Sequence, residues 1–226
     1  MPRHITANQF YTELINDNII GSTGIITFDF KNINVTVNTK DSIGHMLQDW
    51  LKEWADRKDI YIRANPLTQA FPDFFLDVSD EDNLLEVKSF DYDAGPNFDI
   101  ANFDTYVRSL SEIPKKLDAS YLIFGYTMNN GQLEIKDVWI KKVWEISTHS
   151  AQWALRLQVK QGVIHNIRPQ NFTSNSPRVA QPFPNKLEFL EAIQDVLDNY
   201  ATTQGQHSNW LNDFKASYQT ATGVSL

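Results

Sequence analysis

The sequence of 226 residues contains no cysteine and no long apolar run. Without cysteine the protein has no disulfide scaffold, no thiolate metal site and no cysteine nucleophile, and we expect a reducing, cytoplasmic compartment of the bacterial type. No stretch approaches 18 consecutive apolar residues and the first residues lack the apolar core of a signal peptide, so we expect no membrane association. The motifs of phosphate-binding loops, dinucleotide folds, zinc proteases and serine hydrolases are absent as well.

The composition is that of a folded protein whose charges are unevenly distributed. Hydrophobic residues make up 42% and charged residues 21% of the chain, and the formal net charge of −8 argues against a nucleic-acid binder. Residues 136–186, however, contain eight basic and two acidic residues, a local charge of +6 that leaves −14 for the remainder. Such a segment can bind a polyanion, although a charge run is also typical of an ordinary solvated face.

Apolar periodicity predicts a single α/β domain with a central mixed β-sheet flanked by helices. The clearest helix covers about residues 41–57, where Ile43, Leu47, Trp50 and Trp54 form one apolar stripe. Further helices are predicted at 7–16, 99–112, 186–200 and, more weakly, 207–217. Strands are predicted at 24–30, 33–38, 60–64, 74–78, 84–90, 121–127, 133–140, 153–159 and 163–167, and a long polar loop at 169–184.

One short constellation combines two carboxylates with a lysine. Asp73 opens an apolar run, and Glu86 and Lys88 lie in a second apolar run further along. Because side chains alternate along a strand, Glu86 and Lys88 share a face, and a hairpin through the polar residues 77–83 brings Asp73 beside Glu86. Adjacent carboxylates repel each other unless a cation lies between them, so the pair predicts a Mg²⁺ site. A phosphate or a water bound at such an ion is within reach of the lysine as well.

A structural interpretation of these residues stays open. An acid and a lysine two positions apart on an edge strand often form only an ion pair. The apolar neighbours favour chemistry, because unpaired charges are costly among Leu84, Leu85, Val87 and Phe90.

The segments FPDFFL (71–76) and LLEVK (84–88) resemble the PD-(D/E)xK nuclease signature. The resemblance implies a restriction-endonuclease-like fold in which Asp73 and Glu86 bind Mg²⁺ and the Val87 carbonyl completes the coordination. It implies that Lys88 positions the attacking water or helps to deprotonate it.

Residues 42–48 (SIGHMLQ) are similar to the GxxxE helix that precedes this motif in many of these nucleases. This chain has Gln48 where the family has an acid, which leaves a third metal-linked carboxylate in question. Gln48 can still hold a water, and Glu53 or Asp49 can take the acid's place. Glu53 borders the apolar stripe, whereas Asp49 points further towards solvent. Gln48 and Glu53 are therefore the auxiliary candidates.

Four further segments, 96–106, 121–126, 138–146 and 157–172, resemble type II restriction endonucleases of the NgoBV/NlaIV group. The resemblance implies Mg²⁺-dependent cleavage of both strands of double-stranded DNA at a short palindromic site by a homodimer, leaving 5′-phosphate and 3′-hydroxyl ends. Within a single domain of residues 1–226, the catalytic core is expected at about 35–130 and the DNA-contacting segment at about 136–186. Helix 186–200 or the first helix is available for the dimer interface.

Several polar residues are candidates for contacts with DNA. The candidates for phosphates are Lys141, Lys142, Lys160, Arg168 and Arg178, and those for base edges are Asn166, Asn171, Ser174 and Asn175. Gln69 faces DNA or caps a turn. Two other functions are compatible with the sequence: a nicking endonuclease of the mismatch-repair type with the same fold, and a DNA-binding protein without catalysis.

Overall fold

The elements of the chain are taken from a computed structural model that describes residues 1–67, 70–174, 176–204 and 208–226. The helices are α1 (Ala7–Asn16), α2 (Ile43–Arg57), α3 (Phe103–Glu112), α4 (Val143–Ile146), α5 (Lys186–Asn199) and α6 (Trp210–Thr222), with 3₁₀ turns at Tyr92–Ala94 and Pro114–Asp118. The strands are β1 (Thr23–Ile25), β2 (Thr27–Phe30), β3 (Ile33–Thr36), β4 (Arg63–Ala64), β5 (Phe74–Phe75), β6 (Leu84–Asp91), β7 (Ala101–Asn102), β8 (Ser120–Asn129), β9 (Gln132–Lys141), β10 (Leu157–Lys160) and β11 (Val163–Ile167).

The chain divides into two compact units. The first consists of Met1–Gly95 and Ser120–Lys141, and the second of Pro96–Ala119 and Lys142–Leu226. The predicted single domain and its boundaries at 35–130 and 136–186 stay predictions.

The first unit contains a mixed sheet with the strand order β1-β9-β8-β6-β5-β4. Strands β6 and β8 are parallel, whereas β5 and β6, and β8 and β9, are antiparallel. The predicted mixed sheet of an α/β fold is therefore confirmed. Strand β6 lies between β5 and β8 in this sheet, although β5 pairs only with Leu84 and Leu85, and the segment that carries Glu86 and Lys88 pairs with β8.

The core of the first unit lies between this sheet and two helices. Helix α2 buries Ile43, Leu47, Leu51 and Trp54, and α1 contributes Phe10 and Leu14. They pack with β6 and β8 side chains of one sheet face, among them Leu85, Val87, Leu122 and Phe124. The predicted stripe is wrong at one position, because Trp50 is 39% exposed and Leu51 takes the buried place. Since Leu85 and Val87 face the helices, Glu86 and Lys88 face the other way.

The second unit has its own sheet and helices. Its strands have the order β10-β11-β7, and β11 is antiparallel to both neighbours. Helix α5 buries six apolar side chains there: Phe189, Leu190, Ala192, Ile193, Val196 and Leu197. The apolar faces of α5 and α1 are buried inside the chain, so only the polar faces of these helices are available for the predicted dimer interface, which stays a prediction.

Some predicted strands have different bounds in the structure. The predicted strand 24–30 divides into β1, which pairs with β9, and β2, which pairs with β3. The predicted strand 74–78 begins at Phe74 as expected but ends at Phe75, and the chain then turns towards β6 after the Leu76 N–H bond to the Asn83 carbonyl. Within the described ranges, no helix is long and apolar enough to cross a membrane.

Candidate active site

The two predicted carboxylates face each other across β5 and β6. Phe74 pairs with Leu85 and Phe75 with Leu84, and continuing this antiparallel register places Asp73 opposite Glu86. The predicted hairpin therefore brings the two acids together, and side chains at opposite positions lie on one face of the sheet.

Reciprocal hydrogen bonds hold the two acids in place. The Asp73 backbone N–H donates to Glu86 Oε2 at 3.1 Å, and the Val87 backbone N–H donates to Asp73 Oδ2 at 2.8 Å. The Val87 N–H thus donates to the Asp73 side chain, whereas beside a longer β5 it would donate to a backbone carbonyl of that strand. Both carboxylates keep oxygens free of these two bonds, so the pair still has acceptor capacity.

Lys88 lies on the same face and forms an ion pair with Glu86. The distance between Lys88 Nζ and Glu86 Oε1 is 2.8 Å, and the side chains are 21% and 8% exposed. A charge pair at this depth is far less screened by water than a surface pair. The predicted ion pair is present, but it is buried and lies beside a second carboxylate, which an ion pair on an edge strand does not need.

Burial raises the pKa of both carboxyl groups. The pKa of Glu86 rises from 4.5 to about 7 because desolvation and the nearby charge of Asp73 together exceed the stabilising effect of Lys88. Burial also raises the pKa of Asp73, against the opposing effects of the Val87 hydrogen bond, the charges of Lys88 and His45, and a hydrogen bond from Gln48. The single charge of Lys88 therefore does not fully offset the desolvation of the two carboxylates.

Helix α2 supplies two further polar side chains to this site. Gln48 is half-buried and its side chain hydrogen-bonds to Asp73. His45, one helical turn earlier, is exposed and close enough for its charge to lower the pKa of Asp73. The spacing of three residues between His45 and Gln48 places both side chains on one helix face.

The other acids of α2 lie elsewhere. Glu53 is 62% exposed and accepts a hydrogen bond of 2.8 Å from Arg57, and Asp49 is exposed. The structure therefore brings Gln48 to the acid pair, whereas Glu53 forms an ion pair on the helix surface.

Asn65 is a supporting residue outside the sequence motif. Its side-chain Nδ2 donates to the carbonyls of Pro72 at 2.9 Å and Ala70 at 3.3 Å, and its backbone N–H donates to the Asp73 carbonyl at 2.9 Å. These bonds fix the backbone that enters β5. An asparagine followed by proline is a turn signal in the sequence, but its partners depend on the folded loop.

The predicted phosphate contacts fall into two groups. Lys142 donates to the Asp118 carbonyl, burial lowers its pKa, and Arg168 pairs with Asp99 and the Asn97 carbonyl. Lys160 and Arg178 are exposed, and Lys141, the last residue of β9, is half-buried. Exposed cations are the better candidates for phosphate contacts, because they can bind a phosphate without first losing a hydrogen bond or ion pair within the protein.

The predicted base contacts are half-buried polar residues with local partners. Asn166 Nδ2 donates to Gln158 Oε1 at 3.2 Å, Asn171 Oδ1 accepts from Thr173, and Ser174 Oγ accepts from the Ser176 N–H. Arg178 and Asn171 line a cavity of about 420 Å³ together with Arg156 and Gln170. The candidates Gln69 and Asn175 lie outside the described residues.

Comparison with known proteins identifies the family. The NgoBV restriction endonuclease family matches residues 4–226. The chain belongs to this family.

Two type II restriction enzymes are similar to this chain over most of their own length. The type II restriction enzyme NlaIV of Neisseria lactamica is 38% identical over 218 residues, which cover 95% of this chain and 90% of that enzyme. The type II restriction enzyme NgoBV of Neisseria gonorrhoeae is 36% identical over 159 residues, 69% of this chain and 90% of that enzyme.

A solved structure agrees with this family assignment. The structure of the NlaIV restriction endonuclease superposes with a TM-score of 0.93 at 36% identity and covers 100% of this chain and 93% of that one. The predicted fold class, the resemblance to the NgoBV/NlaIV group and the predicted enzyme class, a type II restriction endonuclease, are therefore confirmed.

Proposed function

We propose that this member of the NgoBV family is a Mg²⁺-dependent nuclease of the PD-(D/E)xK type. It acts as a homodimer on double-stranded DNA and hydrolyses one phosphodiester bond in each strand of a short palindromic site. The observation that carries the proposal is the pairing of half-buried Asp73 with buried Glu86, together with Lys88 Nζ at 2.8 Å from Glu86 Oε1.

The residues at this site fit a magnesium ion. Asp73 and Glu86 supply hard carboxylate oxygens, and their raised pKa values reflect negative charge that a divalent cation would stabilise. The Val87 N–H points to the Asp73 side of β6, and the carbonyl of the same residue lies on that side too, where β5 has already ended. Asp73, Glu86 and the Val87 carbonyl would therefore hold the ion.

The small number of acids agrees with magnesium chemistry. Among the residues that the structure describes, no group of three or more histidines, aspartates or glutamates is suitable for holding a metal. Mg²⁺ is commonly held by one or two carboxylates together with water and substrate phosphate. When bound, Mg²⁺ would polarise the scissile phosphate and lower the pKa of water.

Lys88 acts on the attacking water in this proposal. Its ammonium lies 2.8 Å from Glu86 Oε1 on the face of β6 that carries the acid pair, within reach of a water or phosphate oxygen placed between the acids. There it positions the water, helps to remove its proton and stabilises the charge that develops on the phosphate. Gln48 supports Asp73 through its hydrogen bond and takes the place of the third acid.

Water attacks the phosphorus in line with the departing 3′ oxygen. The phosphorus–oxygen bond on the 3′ side breaks, the leaving oxygen gains a proton, and the phosphate stays on the 5′ end. Both relatives are named type II restriction enzymes, so we do not retain the mismatch-repair-type nicking enzyme or the non-catalytic DNA-binding protein.

The test is cleavage of unmethylated phage DNA with Mg²⁺ or with EDTA. We expect discrete fragments with Mg²⁺ only, and their loss in Asp73→Ala. Glu81→Ala, an exposed acid of the turn between β5 and β6, is the matched control and should cleave as the wild type does. Fragments that persist in EDTA or in Asp73→Ala would overturn the proposed site.

Lys88→Ala separates catalysis from binding. Because a catalytic lysine stabilises the transition state more than the bound substrate, we expect DNA binding within about twofold of wild type and cleavage slower by about 10²–10⁴-fold. Binding is measured by gel shift without Mg²⁺, and cleavage by single-turnover kinetics. Cleavage at the wild-type rate would assign Lys88 to a purely structural ion pair.

A further inference from the structure

The β2–β3 hairpin carries an uncovered apolar face. Phe28 lies opposite Val35 and Phe30 opposite Ile33, so these four side chains project from one face of the two strands. They are 57%, 49%, 61% and 65% exposed, respectively, and the two phenylalanine rings stack with centroids 6.2 Å apart. The opposite face is polar, with Thr27, Asp29, Asn34 and Thr36.

A two-stranded hairpin with this face in water is at best marginally stable. The turn at Lys31 and Asn32 has two residues with positive φ, 47° and 62°, and Asn34 Nδ2 donates to Asp29 Oδ1 at 2.9 Å on the polar face. These features define the hairpin's shape but bury no apolar surface. Other exposed apolar residues, such as Val78 and Val224, stand singly, which is normal for a protein surface.

An apolar groove continues from the base of the hairpin. The Ile26 carbonyl accepts from the Val37 N–H at 2.9 Å at that base, and Ile26 also lines the groove. The groove has a volume of about 390 Å³ and runs between β1, α2 and β9, with a lining that includes Ile19, Ile25, Met46, Trp50 and Leu133. Ile25 and Trp50 are 64% and 39% exposed, so apolar surface extends from the hairpin into the groove.

The charges at this surface favour a protein partner over DNA. The hairpin contains one acid, Asp29, and one base, Lys31, so it offers no net positive charge to phosphates. The groove lining adds Asp17 and no lysine or arginine. DNA-contacting surfaces, by contrast, are strongly positive.

The apolar area matches the needs of a symmetric dimer. With about 150–250 Å² for each large side chain, the exposed fractions of the four hairpin residues correspond to roughly 400 Å², and Ile25 and Trp50 add roughly 200 Å². Two copies would bury roughly 1,200 Å² of apolar surface, which reaches the range of a stable interface.

We propose that a second copy of this chain covers the apolar face of the β2–β3 hairpin and the adjoining groove, so that this surface is the homodimer interface. The inference rests on the homodimer of the proposed function and adds the surface that forms it. In a dimer with a two-fold axis, each copy contributes the same patch to the interface. The same symmetry places one active site on each of the two strands of a palindromic DNA site.

The test is the mass of the protein in solution without DNA or Mg²⁺, measured by sedimentation equilibrium over a range of concentrations. We expect wild type to sediment at twice its chain mass of 26.0 kDa at micromolar concentration. Phe28→Ser with Phe30→Ser should raise the dimer dissociation constant by about 100-fold or more, because large buried aromatics dominate such interfaces. Val78→Ser with Val224→Ser removes exposed apolar residues elsewhere and should leave the constant unchanged.

A second variant tests whether loss of the dimer reflects loss of the hairpin. Ile33→Thr with Val35→Thr keeps β-branched residues in β3, so strand propensity is retained while the apolar face becomes polar. It should also dissociate, with an unchanged circular dichroism spectrum.

The outcomes separate this inference from the proposed function. A wild-type monomer at every concentration overturns both the homodimer and its interface, whereas a dimer that survives both double substitutions overturns only the interface. Variants that stay dimeric but lose DNA binding would assign the face to DNA and overturn the inference as well. None of these results depends on whether DNA is cleaved.

Discussion

At the scale of single residues, opposing interactions act on the ionised carboxylate of Glu86. It accepts a hydrogen bond from the Asp73 N–H and pairs with Lys88, yet its carboxyl is buried and lies next to a second acid. Burial and like charge prevail, which raises the pKa to about 7. In the proposed function this cost to the metal-free fold is what makes the site selective for a cation.

The first prediction concerns stability without metal. The folded Glu86 carboxyl keeps a proton between pH 4.5 and about 7 where the unfolded chain has lost it, so this group lowers the free energy of unfolding as the pH rises through that window. Glu86→Gln removes the charge. We expect it to stabilise the protein at pH 8 by about 1–3 kcal/mol, and by much less at pH 5.

The measurement is urea unfolding in EDTA at pH 5, 7 and 8. Glu81→Gln, on the exposed turn, is the control and should shift the midpoint little at any pH. A stabilisation by Glu86→Gln that is the same at pH 5 and pH 8 would contradict the raised pKa.

At the scale of elements, helix α2 connects the core with the proposed active site. Its buried stripe of Ile43, Leu47, Leu51 and Trp54 fixes the rotation of the helix against the sheet. This rotation determines that Gln48 reaches Asp73 while Glu53 faces Arg57. The sequence left Gln48 and Glu53 as alternatives because Gln48 has the position of the acid in the resembled nucleases and Glu53 borders the apolar stripe. Their distances to β5 are properties of the packed helix.

The second prediction distinguishes these two side chains. Gln48→Ala removes a hydrogen bond to Asp73 between two half-buried side chains and should slow cleavage by about 10-fold or more. Glu53→Ala removes an exposed pair with Arg57 and should leave the cleavage rate within about twofold. Single-turnover rates at saturating Mg²⁺ measure both.

Gln48→Glu is the informative companion substitution, because it restores the acid that the resembled nucleases have. If Glu53→Ala slowed cleavage as strongly as Gln48→Ala does, the assignment of the auxiliary residue to Gln48 would be wrong.

At the scale of the whole molecule, the positive charges are concentrated in one segment of an otherwise acidic chain. The chain carries −8 overall, and the basic residues cluster between positions 136 and 186. Folding divides this cluster further. Lys142, Lys186 and Arg168 form contacts inside the protein, whereas Lys160 and Arg178 are exposed.

The third prediction follows from the exposed cations. If Lys160 and Arg178 contact phosphates, each change to alanine should weaken DNA binding uniformly across sequences and reduce the salt slope of log K by about one. Binding is measured by fluorescence anisotropy at several salt concentrations without Mg²⁺. Lys58→Ala, an exposed lysine outside the basic segment, should leave the slope unchanged. Unchanged slopes for Lys160→Ala and Arg178→Ala would place the DNA elsewhere.

Local patterns in the chain are sufficient to predict the tight hairpins and the placement of the acid pair. Asn130-Gly131 and Gln161-Gly162 have the positive φ angles that tight turns need, so both hairpins were predictable. The alternation of β6 put Glu86 and Lys88 on one face, and the register of β5 with β6 then brought Asp73 opposite Glu86. These properties depend on neighbours along the chain or across one hairpin.

Only the tertiary structure decided which residues are available for chemistry. The hydrogen bond of Gln48 to Asp73, the approach of His45 and the support from Asn65 depend on how α2 and a loop pack against β5. Likewise, the sequence does not distinguish Lys142 and Arg168 from Lys160 and Arg178. In the structure, however, Lys142 and Arg168 are hydrogen-bonded to Asp118 and Asp99. Periodicity in a sequence reports which face of an element is buried, whereas the contact between two distant elements depends on packing that no local pattern encodes.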